Sequence, residues 1–304
     1  MTDSMNIPPF LTRIEQALPA LSKGHRKIAE YILREYDKAA FLTAAALGEA
    51  VGISESTVVR FAAEIGFKGY PDLQKYLQEM IRSRLTTIQR MQASDVRVSN
   101  ETVLDKVMSA DAEMIRLTLE QTSREDFRSA VFALNTARKI YVQGARSSAA
   151  LATFLSFYLN ILYDDVIFID AFSSSQMFEQ MLRIGPEDVC VAISFPRYSS
   201  RTVTALRFAQ DRGACAIAIT DSRHSPIAAL ARFILVARSD TISFVDSLVA
   251  PLSLINALLA ACARSQGDKA YETLRSLEQV WADYNVYDSP EEELMTDTPA
   301  EEDI

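Results

Sequence analysis

The sequence predicts an α/β protein in two parts: an all-helical N-terminal domain, then a five-stranded parallel, doubly wound sheet with helices on both faces. Three observations carry that expectation. Up to about residue 90, apolar residues recur at helical spacing and no convincing strand pattern appears. From residue 139, five short apolar runs alternate with longer helical ones, the grammar of a parallel sheet covered on both sides. The length of 304 residues exceeds the usual size of a single hydrophobic core.

In the first part the helical runs are 10–18, 28–33, 42–51, 58–65 and 73–81, with breaks at Gly24, Gly52, Gly66 and Gly69. A connecting stretch at 102–135 keeps helical periodicity, with Val103, Val107, Met114, Leu117 and Leu119 supplying an apolar face. The strand runs follow: KIYVQG (139–144), DVIFID (165–170), DVCVAIS (188–194), CAIAIT (215–220) and FILVA (233–237). Helices are expected between them at 147–163, 173–184 and 199–212, and after them at 247–265. The resulting division is a helical domain at 1–85, a helical linker at 86–124, a sheet domain at 125–286 and a tail at 287–304.

Composition narrows the class. The chain is 49% hydrophobic and 23% charged, ordinary globular usage. Cys190 and Cys215 sit in strand-like runs and Cys262 in an alanine-rich helical run, so all three read as small buried hydrophobes. Their spacing supports neither a disulfide framework nor a zinc site. The N-terminus does not resemble a secretion signal, and polar residues interrupt the longest apolar stretches before the ~18–20 residues of a membrane span. A cytoplasmic protein without membrane partners is expected.

The formal net charge of −9 is unevenly spread. Residues 291–304 hold seven acidic residues and no basic ones, and read as a disordered, solvating tail. Residues 1–90 hold 12 Lys and Arg against 10 Asp and Glu. The acidity therefore does not exclude a DNA-binding end.

The stretch FLTAAALGEAVGISESTVVRFAAEIGF gives a helix over about 43–50, a glycine turn at 51–53 and a second helix after Ser54, the expected N-cap. Val58, Phe61, Ala62 and Ile65 share one face of that second helix, while Ser56 and Arg60 lie away from it. Two short helices joined by a tight turn form a helix-turn-helix pattern, whose second helix enters the major groove of DNA. Ser54, Ser56 and Thr57 are placed to reach base edges or phosphates, and Arg60 to grip guanine O6 and N7 together. Lys68 and Lys75, with Arg82 and Arg84, are candidates for phosphate neutralisation.

This segment closely resembles the N-terminal domain of the RpiR family of bacterial transcription regulators. The resemblance rests on Ser54, Thr57, Val58, Arg60, Phe61, Gly66, Phe67, Gly69, Tyr70 and Leu73. It implies a double-stranded DNA operator as partner, with Tyr70 carried over among the DNA-binding residues. One arginine–guanine pair discriminates by only ~1–3 kcal/mol, so a homodimer or homotetramer reading half-sites ~34–36 Å apart is expected.

In the sheet domain, YVQGARSSAALATFL ends a strand in Gly144 and opens a helix with Arg146, Ser147 and Ser148. A helix start offers free amides and partial positive charge to an anion. The third strand ends similarly, delivering Ser194, Arg197, Ser199, Ser200 and Thr202 into a loop and helix start. Neither a dinucleotide fingerprint nor a P-loop occurs, and no cofactor is expected. Asp221, Ser222 and His224, after the fourth strand, border the same edge or serve as turn residues.

This half resembles the sugar isomerase (SIS) domain that follows the helix-turn-helix in RpiR regulators and binds phosphosugars. GARSSA occupies the place of its first phosphate loop and SFPRYSSRT that of its Ser-x-Ser-Gly-x-Thr loop. Arg146 stands where many SIS domains have a second glycine, and Pro196, Arg197 and Tyr198 alter the second loop. A small anionic effector is implied, a phosphosugar or a related phosphate or carboxylate. SIS domains also occur in isomerases, so a phosphosugar enzyme is the alternative; against it, the only histidines are His25 and His224, and no carboxylate placement is diagnostic.

Overall fold

The computed structural model describes residues 9–84, 88, 102–170, 173–240 and 245–287. The acidic tail beyond 287 and residues 86–87 and 89–101 of the expected linker lie outside the described residues. The chain forms two compact units. One comprises Met1–Leu104 with Pro196–Tyr198 and Ile242–Val245, the other the remainder.

The first unit contains α1 (Pro9–Ala17), α2 (Lys23–Ala39), α3 (Ala44–Val51), α4 (Glu55–Glu64) and α5 (Tyr70–Arg84). Thr43 caps α3 by accepting the amide of Ala46 at 3.1 Å. The helix stops at Gly52, whose left-handed backbone (φ 68°, ψ 48°) returns its amide to the last turn, a conformation glycine adopts without a Cβ penalty. Ile28, Ile32, Leu47, Val58, Phe61, Leu73 and Leu77 are fully buried and bind the helices into one core. Helix α5 also answers the unpaired carbonyls between α2 and α3. Gln74 Nε2 donates to the Leu42 carbonyl at 2.8 Å and Gln78 Nε2 to that of Ala40 at 2.9 Å.

Tyr70 completes this clamp and corrects an expectation. It is 3% exposed, and its hydroxyl donates to the Leu42 carbonyl at 2.8 Å. It is a core residue positioning the turn before α3, not a DNA contact. Burial, then the neighbouring Tyr31, pushes its hydroxyl up to about 12.

The second unit takes in most of α6 (Val103–Gln121) and then α7 (Arg124–Thr136), β1 (Ile140–Gly144), α8 (Ser147–Leu162), β2 (Val166–Phe168), α9 (Ser174–Met181), β3 (Val189–Ile193), α10 (Ser200–Asp211), β4 (Cys215–Thr220), β5 (Phe233–Val236), α11 (Val249–Gln266) and α12 (Asp268–Asp283). All strands pair in parallel, in the order β2-β1-β3-β4-β5. On one face Val142, Val191, Ile217 and Leu235 meet α7, α8 and α11 through Leu134, Leu155 and Leu258. On the other, Tyr141, Cys190, Ala192 and Ala218 meet α9 and α10 through Met177, Met181, Ala205 and Leu206. The expected doubly wound sheet is therefore present. Cys190 and Cys262 are buried as expected, whereas Cys215 is half-buried.

The C-terminal end of α6 is tied to β5. Thr122 Oγ1 donates to the Val236 carbonyl at 3.0 Å, and the Arg238 amide donates to Thr118 Oγ1 at 2.8 Å. At the amino edge of the sheet, the buried Asp188 carboxylate takes both the Nε and Nη2 of Arg138, at 2.9 and 2.7 Å, and the Gly185 amide at 2.8 Å. Among the described residues no helix is long and apolar enough to cross a membrane.

Two outcomes follow from this packing. A Cβ at Gly144 would lie 2.5 Å from the Ser148 carbonyl oxygen and 2.9 Å from Ala152 Cβ, so Gly144→Ala should cost about 1–3 kcal/mol in denaturant unfolding. Tyr70 keeps its proton in the folded state up to about 12, above its ordinary value of 10.0. Its contribution to stability is full below that ordinary value and is lost as pH rises through the folded one. Tyr70→Phe should flatten the alkaline fall in melting temperature followed by circular dichroism.

Candidate functional site

Helix α4, the second helix of the helix-turn-helix pattern, carries its polar residues on the outer side. Ser56 and Arg60 are exposed and Thr57 half-buried, while Val58, Phe61 and Ala62 face the core. Ser54 occupies the N-cap position, yet its hydroxyl accepts no backbone amide. It shares hydrogen bonds with Ser56 Oγ at 3.0 Å and Thr57 Oγ1 at 2.9 Å. The expected side-chain cap is thus replaced by a cluster of three hydroxyls, because the two following hydroxyls compete for the same oxygen. Arg60 folds back over them, with Nε donating to the Ser56 carbonyl at 3.2 Å and Nη2 to Thr57 Oγ1 at 3.4 Å. Val59, 42% exposed, stands on the outer side as well. An exposed valine beside hydroxyls and a guanidinium suits a thymine methyl flanked by polar base edges. Lys68 and Lys75 are exposed, and the Lys68 amide is held by Asp72 Oδ2 at 3.1 Å.

In the sheet unit, strand order decides where the predicted residues meet. The chain turns one way from β1 to β2 and the other way from β3 onward, so the crevice of an open α/β sheet opens between the carboxyl ends of β1 and β3. Gly144 and Ile193 are paired across that point. Ser147 and Ser148 start α8 on one face, and Ser199, Ser200 and Thr202 start α10 on the other. The two serine-rich ends therefore approach a common edge from opposite sides of the sheet.

Their side chains differ in availability. Ser148, Ser194 and Thr202 are buried, Ser199 is half-buried, and Arg146, Ser147 and Ser200 are exposed. Ser147 Oγ donates to Asp246 Oδ2 at 3.0 Å, and Ser194 Oγ accepts the Ser199 amide at 3.3 Å. Arg146 has φ 59° and ψ −126°, and Arg197 has φ 66°. Both lie in the left-handed half of backbone space that favours glycine. Arg197 belongs to the segment Pro196–Tyr198 that groups with the first unit. After β4, Asp221 and Ser222 are buried and His224 is exposed; Thr220 Oγ1 donates to Asp221 Oδ1 at 3.2 Å.

Two features escaped the sequence reading. The end of β2 also leads into serines, and Ser173 forms a capping box with Gln176 at the start of α9. The signal was present in AFSSSQ but was read only as part of a helix. Gln143 is a fully buried glutamine in the last turn of β1 toward the edge, hidden in the sequence by the apolar run around it.

A non-glycine residue in the backbone region of Arg146 carries about 1–3 kcal/mol of strain. Arg146→Gly should therefore raise, or at least not lower, the melting temperature of the unliganded protein, read by differential scanning fluorimetry, while removing a cation from the edge.

Comparisons with known proteins agree with this architecture. Residues 9–84 match the helix-turn-helix domain of the rpiR family, and residues 133–261 match the SIS domain. The HTH-type transcriptional regulator HexR of Escherichia coli (strain K12) is 28% identical over 281 residues, spanning 89% of this chain and 93% of that protein. Among solved structures, the sugar isomerase domain of an RpiR transcription factor from Sphaerobacter thermophilus is 32% identical, with a TM-score of 0.56 over 59% of this chain and 99% of that one. The Vibrio vulnificus NanR protein, solved in complex with ManNAc-6P, shares the fold at 20% identity and a TM-score of 0.56, over 90% of this chain and 98% of that one. A helix-turn-helix domain of the rpiR type on its own core, joined in one chain to a doubly wound SIS domain, makes this protein a member of the RpiR family of helix-turn-helix transcriptional regulators.

Proposed function

We propose that this regulator reads a double-stranded DNA operator with α4 and senses a small anionic metabolite, a phosphosugar or a related phosphate or carboxylate, at the β1/β3 edge. The observation that carries the sensing half is the meeting of two hydroxyl-rich helix starts at the switch point of the sheet. Helix N-termini favour anions through free amides and the helix dipole. Ser148, Ser194, Ser199, Ser200 and Thr202 supply hydroxyls, Gly144 shapes the first loop, and Arg146, Ser147 and Arg197 complete the ligand set. The ManNAc-6P bound by the NanR protein supports a phosphosugar as the class.

For DNA, Ser54, Ser56, Thr57 and Arg60 read base edges or phosphates, while Lys68 and Lys75 neutralise phosphates. Residues 1–85 act as the DNA-binding domain, 86–124 as the linker, 125–286 as the effector domain and 287–304 as a solvating tail. The protein acts in the cytoplasm as a homodimer or homotetramer, and effector binding alters the spacing of two reading helices. A tenfold change in operator affinity requires only ~1.4 kcal/mol of differential effector binding.

We infer regulation rather than catalysis. Isomerisation needs a base beside the substrate carbon; the proposed ligand set supplies hydroxyls and guanidinium groups, and the carboxylates near it are engaged, Asp246 by Ser147 and Asp221 by Thr220. His224, the histidine of the sheet unit, is exposed.

Two measurements test this reading. A fluorimetric screen of hexose phosphates, polyol phosphates and small carboxylates should reveal a class that stabilises the full chain, with the shift lost in Ser148→Ala; if no compound shifts the wild type, the sensor site is wrong. In a gel-shift titration on the operator, Arg60→Ala should weaken binding by about 10- to 100-fold, and unchanged affinity would remove Arg60 from the interface.

A further inference from the structure

Two buried polar atoms at the carboxyl edge have no hydrogen-bond partner among the described residues: Oε1 of Gln143 and Oγ1 of Thr202. Gln143 is 1% exposed and Thr202 0%. Buried polar groups are nearly always paired, and an unpaired one calls for a partner such as a water, an ion or a ligand.

The fold puts both on one side of the sheet. Along β1, Ile140 and Val142 enter the core shared with α8, whereas Tyr141 enters the core shared with α9 and α10. By the two-residue period of a strand, Gln143 stands on the side of Tyr141, one step nearer the carboxyl edge. Helix α10 offers Ala205, Leu206 and Ala209 to that same core, and Thr202 lies one turn earlier on the same helical face. Because α10 follows the end of β3, its first turn is at the carboxyl edge too. The residue paired with Gln143 on β3 is the small Ala192, and Ser194 follows two positions later.

The chemistry of the Gln143 oxygen distinguishes it from an anion cradle. A carbonyl oxygen accepts hydrogen bonds and donates none, and the oxygens of a phosphate dianion also only accept. A hydroxyl both donates and accepts, so it can satisfy the Gln143 carboxamide in either orientation together with the Thr202 hydroxyl. We propose that Gln143 is a specificity-determining residue which, with Thr202, receives a hydroxyl of the effector, so that the site selects a polyhydroxylated phosphate or carboxylate over a bare anion. This inference rests on the sensor site proposed above and adds the part of the ligand that carries no charge.

The test is isothermal titration of the full chain with glucose 6-phosphate, fructose 6-phosphate, 6-phosphogluconate and inorganic phosphate, using wild type, Gln143→Leu, Thr202→Val and Ser148→Ala. Gln143→Leu should weaken the tightest hydroxyl-bearing probe at least tenfold and leave any phosphate binding unchanged, whereas Thr202→Val, at a residue of the ligand set itself, should weaken every probe that binds. Ser148→Ala should weaken every probe that binds. The unliganded Gln143→Leu protein should melt no lower than wild type, since it removes a buried unpaired carbonyl oxygen. Wild-type affinity in Gln143→Leu, an equal loss of all probes, or a clearly lowered melting temperature would each overturn the role of Gln143 while leaving the sensor site standing. If wild type binds none of the probes, the sensor reading fails and this inference with it.

Discussion

Helix α8 passes so close to the end of β1 that residue 144 has no room for a side-chain carbon, the Ser148 carbonyl oxygen lying 2.5 Å from where one would be. That approach fixes the start of the helix directly over the strand terminus, and much else in the sheet unit depends on it. It sets Ser147 and Ser148 at the edge, it aligns the apolar face of α8 with Val142 and Val191, and it leaves the opposite face of β1 to α10. The crevice between β1 and β3 is a consequence of this packing combined with the strand order.

The helical unit solves a different problem with different means. Helix α4 is short, and an isolated helix of ten residues is marginal in water. Stability comes from Val58 and Phe61 in the shared core and from α5, whose Tyr70, Gln74 and Gln78 secure the turn between α2 and α3. The outer side of α4 is thereby free of structural duty, and three hydroxyls and a guanidinium gather there in mutual contact. Each of those contacts is between neighbours on the same turn, so exchanging them for base edges or phosphates requires no repacking of the core.

The architecture was readable because its signals are periodic. Alternating apolar runs announced five strands, and Gly52 and Ser54 announced the turn between α3 and α4. Individual roles were less readable wherever burial decides them. Tyr70 looks the same in a motif whether it faces DNA or the core, and only the carbonyl of Leu42 reveals which. Ser54 stands at the expected cap position, but its oxygen is claimed by Ser56 and Thr57, a competition that residue preferences do not register. Gln143 lies within an apolar run, where one polar letter carries no hint that its oxygen is both buried and unpaired.

The backbone of Arg146 has a bearing on how this family can drift. At φ 59° and ψ −126°, glycine is at ease, and any other residue is strained unless its side chain offsets the cost. Alanine would keep the strain and discard the guanidinium, as would most neutral replacements. Glycine removes the strain together with the charge, whereas another neutral residue would keep the strain and lose only the charge. Four of the six arginine codons, those beginning CG, become glycine codons by changing their first base, and the two beginning AG do so as well. A single base change can thus exchange a charged sheet edge for an uncharged one and relax the backbone in the same step.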